Sequence, residues 1–408
     1  MNNYETLIKQ IKKGFKLENN INFNKDKHYY LQIINILKLA NENYDESTIN
    51  ITKTNDVKYS ETANFNHFKN IPIIIRKDIT SKTKYYTTTI KFNIYDRSFI
   101  INILSFDKFF TDKNKIKMVY TLLFLCNYVS KNNNCCRTLT IYIYMTNIKK
   151  QLPEHFKILD KENINTAFTA TCLSSNEICV YRKEEWFKCL IHECIHAFGF
   201  DFSQTYSRDN DIYASKLLQK IFPINFDLYL YEAYTETFAL YLNLLFKAYF
   251  STNKKNSPDF NNKVLSKTFN MLNDEIYFSL FQCVKILNHY DINYNQIYLN
   301  DKIVLTKYDE NTPAFSYFLI KTILIYNFTE FYEWCVKNNH FIINFDCTNL
   351  SSKKKDCLKK IKTFCQIIIK HYNDSPFIND FNKMNYIFQK TKSSNIIYTN
   401  LQFTLYST

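Results

Sequence analysis

Three residues in one short segment have the types and spacing of a metal site. The segment reads HECIH and contains His192, Glu193 and His196. In a helix, side chains at positions i and i+4 lie on the same face, so one ion can bind both imidazoles beside the Glu193 carboxylate. A zinc ion held in this way acidifies a water molecule, and a neighbouring glutamate takes its proton. The spacing therefore predicts a zinc site with Glu193 as the catalytic base of a hydrolysis.

A zinc site of this kind needs a third protein ligand, and one route lies directly downstream. Gly199 follows the second histidine by three residues, as in the pattern HExxHxxGxxH. Phe202 stands where that pattern requires a ligand, and Asp201 comes one residue too early. This route is therefore disfavoured.

The other route is a later helix that is apolar on almost every side. This helix is predicted over 225–250, and its acids after Asp227 are Glu232 and Glu236, one turn apart. A carboxylate inside an apolar helix is costly unless charged partners compensate for the lost solvation. A zinc ion with two histidines would provide that compensation, so either glutamate is a candidate third ligand.

The segment around HECIH is patterned as an amphipathic helix. Glu184 and Glu185 lie in its predicted first turn, and Gly199 lies just past its end, which suits the helix dipole and a left-handed C-cap. Its apolar residues recur at spacings of three and four. They are Phe187, Leu190, Ile191, Cys194, Ile195 and Phe198.

The residues before this helix are predicted to form a sheet with a backing helix. Alternating β-branched and aromatic residues indicate strands, and turn residues separate them. In chain order, we predict a hairpin over 85–106, a helix over 115–131, a strand over 137–147 and an extended segment over 165–172. Upstream of them, 41–61 is predicted to be a polar loop.

The helix of the candidate third ligand resembles that of a known enzyme family. Its segment EAYTETFA is similar to the glutamate helix of thermolysin-type gluzincins, where the ligand precedes a small residue by three positions and an acid by four. The resemblance implies that Glu232 binds zinc, that Thr235 is the small residue and that Glu236 holds His192 in place. The departure is Glu rather than Asp at the fourth position. The overlapping segment TETFALY also resembles aminopeptidase N-like enzymes, and that resemblance makes Glu236 the ligand.

The same family resemblance extends to substrate-binding and donor residues. The segment NTAF, from Asn165 with Ala167 as its third residue, resembles the edge strand with which gluzincins bind a peptide backbone. In that family a His or Tyr of the C-terminal half stabilises the transition state. His289 and Tyr290 are the first choice for this donor, and Tyr317 is the second.

The combined segments define a narrower resemblance and an expected fold. Together they look like the uncharacterised HExxH proteins of nucleocytoplasmic large DNA viruses, over about 165–245. The implied fold is α+β and zincin-like, with a small mixed sheet, a backing helix and the HExxH helix, followed by a mainly helical C-terminal half. We predict an N-terminal helical or irregular region over 1–80, an upper subdomain over 81–200 and a lower subdomain over 201–408.

The function expected from these features is zinc-dependent hydrolysis of peptide or protein substrates. The alternative is a catalytically inactive zincin-fold protein that binds partners. The net charge of +14 leaves nucleic acid as a possible partner, but the lysines are dispersed and Arg is scarce, which favours a solvated basic surface.

Composition also bounds the expected location. The first residues contain no apolar signal core, and no run of 18 apolar residues occurs, so we expect neither secretion nor a membrane span. The expected location is intracellular, in the host cytoplasm or the virion of a virus. None of the 12 cysteines forms a CxxC pair, and free thiols in a reducing compartment are expected.

Overall fold

An open six-stranded sheet and a mainly helical C-terminal half make up the fold. The computed structural model describes residues 3–19, 21, 28–56, 66–131, 133–203, 208–253, 257–345, 354–391 and 396–407. The predicted α+β class and the helical C-terminal half are confirmed. The likeness to zincins and the division into three regions remain predictions.

The elements of the described residues alternate between sheet and helix before the HECIH segment and are helical after it. The strands are β1 (Asn50–Asp56), β2 (Tyr85–Ile94), β3 (Arg97–Ser105), β4 (Thr138–Tyr144), β5 (Ala167–Thr169) and β6 (Ser175–Val180). The helices are α1 (Asn3–Gly14), α2 (Leu31–Asn43), α3 (Ile73–Thr80), α4 (Lys113–Val129), α5 (Lys161–Ile164), α6 (Trp186–Ala197), α7 (Arg208–Leu218), α8 (Leu230–Ser251), α9 (Phe260–His289), α10 (Tyr294–Tyr298), α11 (Val304–Lys307), α12 (Lys321–Tyr326), α13 (Phe328–Asn338), α14 (Lys354–His371) and α15 (Ser375–Thr391). A π-helical segment, Phe315–Ile320, precedes α12.

The strand order across the sheet is β1-β2-β3-β4-β6-β5. Strands β3, β4 and β6 run parallel to one another, and the remaining neighbours pair antiparallel. The predicted hairpin is confirmed as β2 and β3, which turn at Tyr95 in a left-handed conformation with φ 51°. The crossover from β3 to β4 passes through α4, as expected for parallel neighbours.

Strand β1 corrects the prediction of a polar loop over 41–61. Its residues pair with β2 from Asn50 opposite Lys91 to Asp56 opposite Tyr85. The described side chains of β1 are exposed, so the strand shows no apolar alternation that a sequence pattern could detect. Residues 57–61 of that prediction lie outside the described residues.

Helix α6 carries the HECIH segment and is buried along its whole length. It begins at Trp186 rather than at the predicted glutamates, because Glu185 has a left-handed backbone with φ 58°. The predicted C-cap is confirmed: Gly199 is left-handed, with φ 69°, and the Phe200 amide donates to the carbonyl of Ile195 at 2.9 Å. Helix α6 packs extensively against α8, the apolar helix predicted to supply the third ligand.

One large apolar core joins the sheet to the helices. It buries the inner face of the sheet, α4, α6, α8 and most of the C-terminal helices. None of the helices within the described ranges combines the length and apolar character that a bilayer crossing needs.

Residues 396–407, hereafter the C-terminal segment, run back from the helical half to the sheet half. The Leu152 amide donates to the carbonyl of Thr399 at 2.7 Å, and the Tyr4 hydroxyl donates to the carbonyl of Ile397 at 2.7 Å. The segment therefore connects the first helix, the sheet half and the last helices of the described chain.

A disulfide between Cys135 and Cys172 corrects the expectation that all thiols are free. Their Cα atoms lie 4.6 Å apart, within the range that a disulfide needs. The Cys136 amide donates to the carbonyl of Leu173 at 2.8 Å, so the segments before β4 and β6 lie side by side. Because this proximity comes from strand pairing, the sequence spacing of 37 residues does not reveal it.

Candidate metal centre

Three side chains from two packed helices converge on one point. The Nε2 atoms of His192 and His196 lie 3.0 Å apart. The Glu232 carboxylate, from α8, lies 3.2 Å from Nε2 of His192 and 3.3 Å from Nε2 of His196. Both histidines are 7% exposed. These are the three residues predicted as metal ligands, with Glu232 in the ligand position.

The Nδ1 atom of His192 contacts the carboxylate predicted to hold it. Glu236 Oε2 lies 3.0 Å from Nδ1 of His192. An ionised carboxylate only accepts hydrogen bonds, so Nδ1 carries the proton and Nε2 keeps a lone pair. Lys188 forms a buried ion pair with the same carboxylate. Glu236 therefore fixes the ring orientation and the tautomer that metal binding requires.

Asp201 makes the matching contact to His196, which the sequence did not indicate. Its Oδ2 lies 2.5 Å from Nδ1 of His196. The hydroxyl of Thr235 donates to Oδ2 at 3.0 Å, and the hydroxyl of Ser203 donates to Oδ1 at 2.6 Å. The sequence offered one sign of this contact: Asp201 is an acid two residues after Gly199, where a tight turn brings the chain back toward His196.

The geometry of the three ligand atoms fits a tetrahedral cation. Ligands at about 2.0–2.2 Å from zinc are separated by about 3.3–3.6 Å in a tetrahedron. The observed separations of 3.0, 3.2 and 3.3 Å are close to that value. Since Nδ1 of each ring faces a carboxylate, the three converging atoms are all lone-pair donors. Such a set is repulsive unless a cation lies between its members.

The electrostatics of the cluster agree with this requirement. Burial disfavours the charged form of His192, but hydrogen bonds with Glu232 and Glu236 outweigh it and raise the pKa of the imidazole. Burial opposes the charge of His196 too, and the adjacent Asp201 carboxylate raises its pKa well above the usual range. Burial raises the pKa of Glu232, yet the histidines lower it to a net value far below normal. The site therefore stabilises added positive charge.

Glu193 lies beside the cluster and makes no side-chain hydrogen bond to any residue of the described ranges. It is 7% exposed and lines a small cavity of about 30 Å³ together with His192. Burial raises the pKa of its carboxyl group, which makes the carboxylate a stronger base. The free carboxylate is thus available to a water molecule in the cavity.

Tyr317, the second choice for the donor, lines the same cavity. Its ring centroid lies 6.0 Å from that of His192, and the residue is 7% exposed. Within the described chain its hydroxyl has no hydrogen-bond partner. Burial raises the pKa of Tyr317 well above its usual range, so the hydroxyl stays protonated and able to donate.

His289, the first choice for the donor, lies elsewhere. Its Nε2 atom is 2.8 Å from the carbonyl oxygen of Lys157, and its ring packs against Tyr290 and His155. The Tyr290 hydroxyl donates to the carbonyl of Asp309 at 2.6 Å, and neither residue lines the cavity that contains Glu193 and Tyr317. The prediction rested only on the position of His289 in the C-terminal half of the sequence. That position does not determine where a single side chain lies in the fold.

The two predicted substrate-binding residues line the cavity beside the cluster. Ala167 begins β5, the edge strand of the sheet, and Asn165 lies two residues before it. The Asn165 side chain accepts a hydrogen bond from the hydroxyl of Thr312 at 2.7 Å, and its carbonyl accepts one from Arg182 at 3.0 Å. These contacts hold the strand start rigidly next to the metal cluster.

Comparison with known proteins supports a link to viruses but assigns no activity. The chain is 26% identical over 309 residues to an uncharacterised protein of Acanthamoeba polyphaga mimivirus. The match covers 70% of this chain and 73% of the relative. No protein-family model and no solved structure matches the chain.

Proposed function

We propose that the protein is a zinc-dependent hydrolase of peptide bonds with a zincin-like arrangement of its two halves. The observation that supports this most is the convergence of His192, His196 and Glu232 next to the free carboxylate of Glu193. A purely structural metal site uses four protein ligands, whereas a catalytic site leaves one position open. Only three ligands converge among the described residues, in agreement with a catalytic site.

The roles of the residues follow from their contacts. Zinc, when bound at such a site, supplies a Lewis acid that makes water more acidic and polarises a carbonyl group. Glu193 takes the proton of the attacking water and then delivers it to the leaving amine nitrogen. The Tyr317 hydroxyl donates a hydrogen bond to the carbonyl oxygen as negative charge develops on it. Glu236 and Asp201 keep both imidazoles in the orientation that binds metal.

The substrate chain is aligned by the edge of the sheet. Strand β5 pairs with β6 on one side and is the last strand in the sheet order. An extended peptide can add to such an edge through main-chain hydrogen bonds. The start of β5 lines the cavity with Glu193, so a peptide paired there passes beside the catalytic base. Peptides in extended conformation are therefore the proposed substrate class.

The first test measures zinc and cleavage together on the purified protein. We expect about one zinc per chain, and cleavage of unfolded polypeptides that is lost on chelation and restored by added zinc. Zinc content is measured by elemental analysis and cleavage by fluorogenic peptide mixtures. A protein that holds less than about 0.2 zinc per chain after incubation with zinc would contradict the proposal.

A second test separates the two candidate donors. A hydrogen bond to a developing charge is worth about 1.5–3 kcal/mol, so Tyr317→Phe should lower kcat about 10–100-fold. His289→Gln keeps a donor for the Lys157 carbonyl and should leave kcat within about 3-fold of the unsubstituted protein. Steady-state kinetics on one peptide measures both variants. The opposite ranking of the two variants would make His289 the donor.

A further inference from the structure

We infer that Lys188 is a positioning residue for the metal ligand His192, and that the C-terminal segment holds Lys188 in this position through Phe403. The inference rests on the proposed function, because it assigns a role relative to bound zinc. It concerns three consecutive contacts: Phe403 with Lys188, Lys188 with Glu236, and Glu236 with His192.

Lys188 lies one helical turn before His192 on α6 and is 1% exposed. Its ammonium group forms an ion pair with the Glu236 carboxylate, which also lies 3.0 Å from Nδ1 of His192. A buried lysine is costly unless it is paired, so its position in the core requires that carboxylate. The pair therefore fixes Glu236 between two partners and limits the rotation of its carboxylate.

Another buried lysine near Glu236 does not compete for this role. The ammonium group of Lys321 donates to the hydroxyl of Ser279 at 3.0 Å. Lys188 is thus the cation in direct contact with Glu236. Lys188 lies one turn from His192 on the same helix. The positions of Lys188, Glu236 and His192 therefore depend on one another.

Phe403 covers two buried cations with one aromatic ring. Its centroid lies 4.4 Å from the ammonium nitrogen of Lys188 and 3.9 Å from that of Lys150. An aromatic face attracts a desolvated cation through the negative potential of its ring face. The ring also packs against Tyr317, with centroids 5.4 Å apart, and lines the cavity. Phe403 therefore keeps water away from the Lys188–Glu236 pair and supports the ring of the proposed donor.

The position of Phe403 is set by the helix that carries the histidines. Glu185, the residue before α6, accepts hydrogen bonds from the amides of Phe403 at 2.7 Å and Thr404 at 2.5 Å. Glu185 also pairs with Lys150, and its left-handed backbone, with φ 58°, is uncommon for a residue with a side chain. The C-terminal segment is thus attached to the start of α6, one turn from Lys188.

The test compares zinc affinity for two buried lysines. Lys188→Met keeps the length and apolar character of the stem but removes the charge that faces Glu236. Lys285→Met is the matched control, because Lys285 is also 1% exposed, contacts the aromatic rings of Tyr4 and Phe281, and donates to the C-terminal segment at the Asn400 carbonyl. It has no contact with the metal cluster. Zinc affinity is measured by competition with a chromogenic chelator, and thermal unfolding is measured in parallel.

We expect Lys188→Met to weaken zinc binding about 10–100-fold, as for other residues that orient a ligand, and Lys285→Met to change it less than about 3-fold. Equal zinc affinities of the folded Lys188→Met protein and the unsubstituted protein would overturn the inference while leaving the proposed function intact. A lack of zinc in the unsubstituted protein would instead overturn the proposed function, and the inference with it.

A second variant decides the matter if Lys188→Met does not fold. Phe403→Leu keeps an apolar side chain but removes the aromatic face, and Leu405→Ala alters the same segment beyond the residue that contacts Lys188. We expect Phe403→Leu to weaken zinc binding about 3–10-fold and Leu405→Ala to leave it unchanged. Equal zinc affinities of these two variants would overturn the inference.

Discussion

Replacement of Glu193 with Gln is expected to lower the rate of peptide hydrolysis by several orders of magnitude and to leave zinc in place. The amide has nearly the shape of the carboxylate, but it cannot take a proton from water. General-base catalysis contributes about 10²–10⁴-fold, so kcat should fall by that factor. Zinc should stay bound because Glu193 is not one of the three side chains whose ligand atoms converge. Initial rates and elemental analysis on the same sample measure the two effects.

Glu330→Gln is a suitable control for this experiment. Glu330 lies on α13 and contacts Lys370 and His371, away from the metal cluster. Glu330→Gln makes the same chemical change as Glu193→Gln, and it should leave both the rate of hydrolysis and the zinc content unchanged. A Glu193→Gln protein that cleaves peptides at the unsubstituted rate would exclude Glu193 as the base.

The second large effect is expected on zinc affinity and separates Glu232 from Glu236. Zinc sites in proteins are worth about 10–16 kcal/mol, and loss of one ligand among three removes about a third of that. Glu232→Gln should therefore raise the Kd for zinc about 300–8,000-fold. Glu236→Gln should raise it only about 10–100-fold, because Glu236 contacts Nδ1 of His192 and orients the ligand without binding the metal.

The two affinities are compared by chelator competition at one pH. Glu236→Gln leaves Lys188 without its charge partner, so thermal unfolding must accompany the titration. Asp374 contacts His371, which is not part of the metal cluster, so Asp374→Asn is a control for the loss of a histidine contact elsewhere. If Glu236→Gln lost zinc and Glu232→Gln kept it, Glu236 would be the ligand, as the aminopeptidase-like pattern implies.

Local patterns in the sequence predicted much of the core of the candidate site. The i, i+4 spacing of His192 and His196 requires only one helix, and the apolar pattern of that segment indicates the helix directly. Glu232 and Glu236 could both be proposed because a carboxylate in an apolar helix needs a charged partner, and the resemblance to gluzincins favoured Glu232. The sheet hairpin was predictable because both strands alternate in residue type.

The contacts that orient these residues depend on long-range packing and were not predictable. Asp201 reaches His196 only because the chain turns at Gly199. The sequence does not distinguish Lys188 from solvated lysines among the 52 basic residues. Its partner Glu236 comes from α8, which packs against α6 only in the folded chain. The Cys135–Cys172 disulfide and strand β1 depend in the same way on strand pairing that no short pattern encodes.

The path of the C-terminal segment determines the order in which the site is completed during translation. His192, His196, Glu232 and Glu236 leave the ribosome long before Phe403, the residue whose ring covers Lys188. Chains begin to fold from the N-terminal side while they are being made. A nascent chain therefore holds every proposed metal ligand before it can bury the Lys188–Glu236 pair. On the proposed function, a chain in which Phe403 is not yet in place binds zinc more weakly than the complete fold, by the same factor of about 3–10 expected for Phe403→Leu.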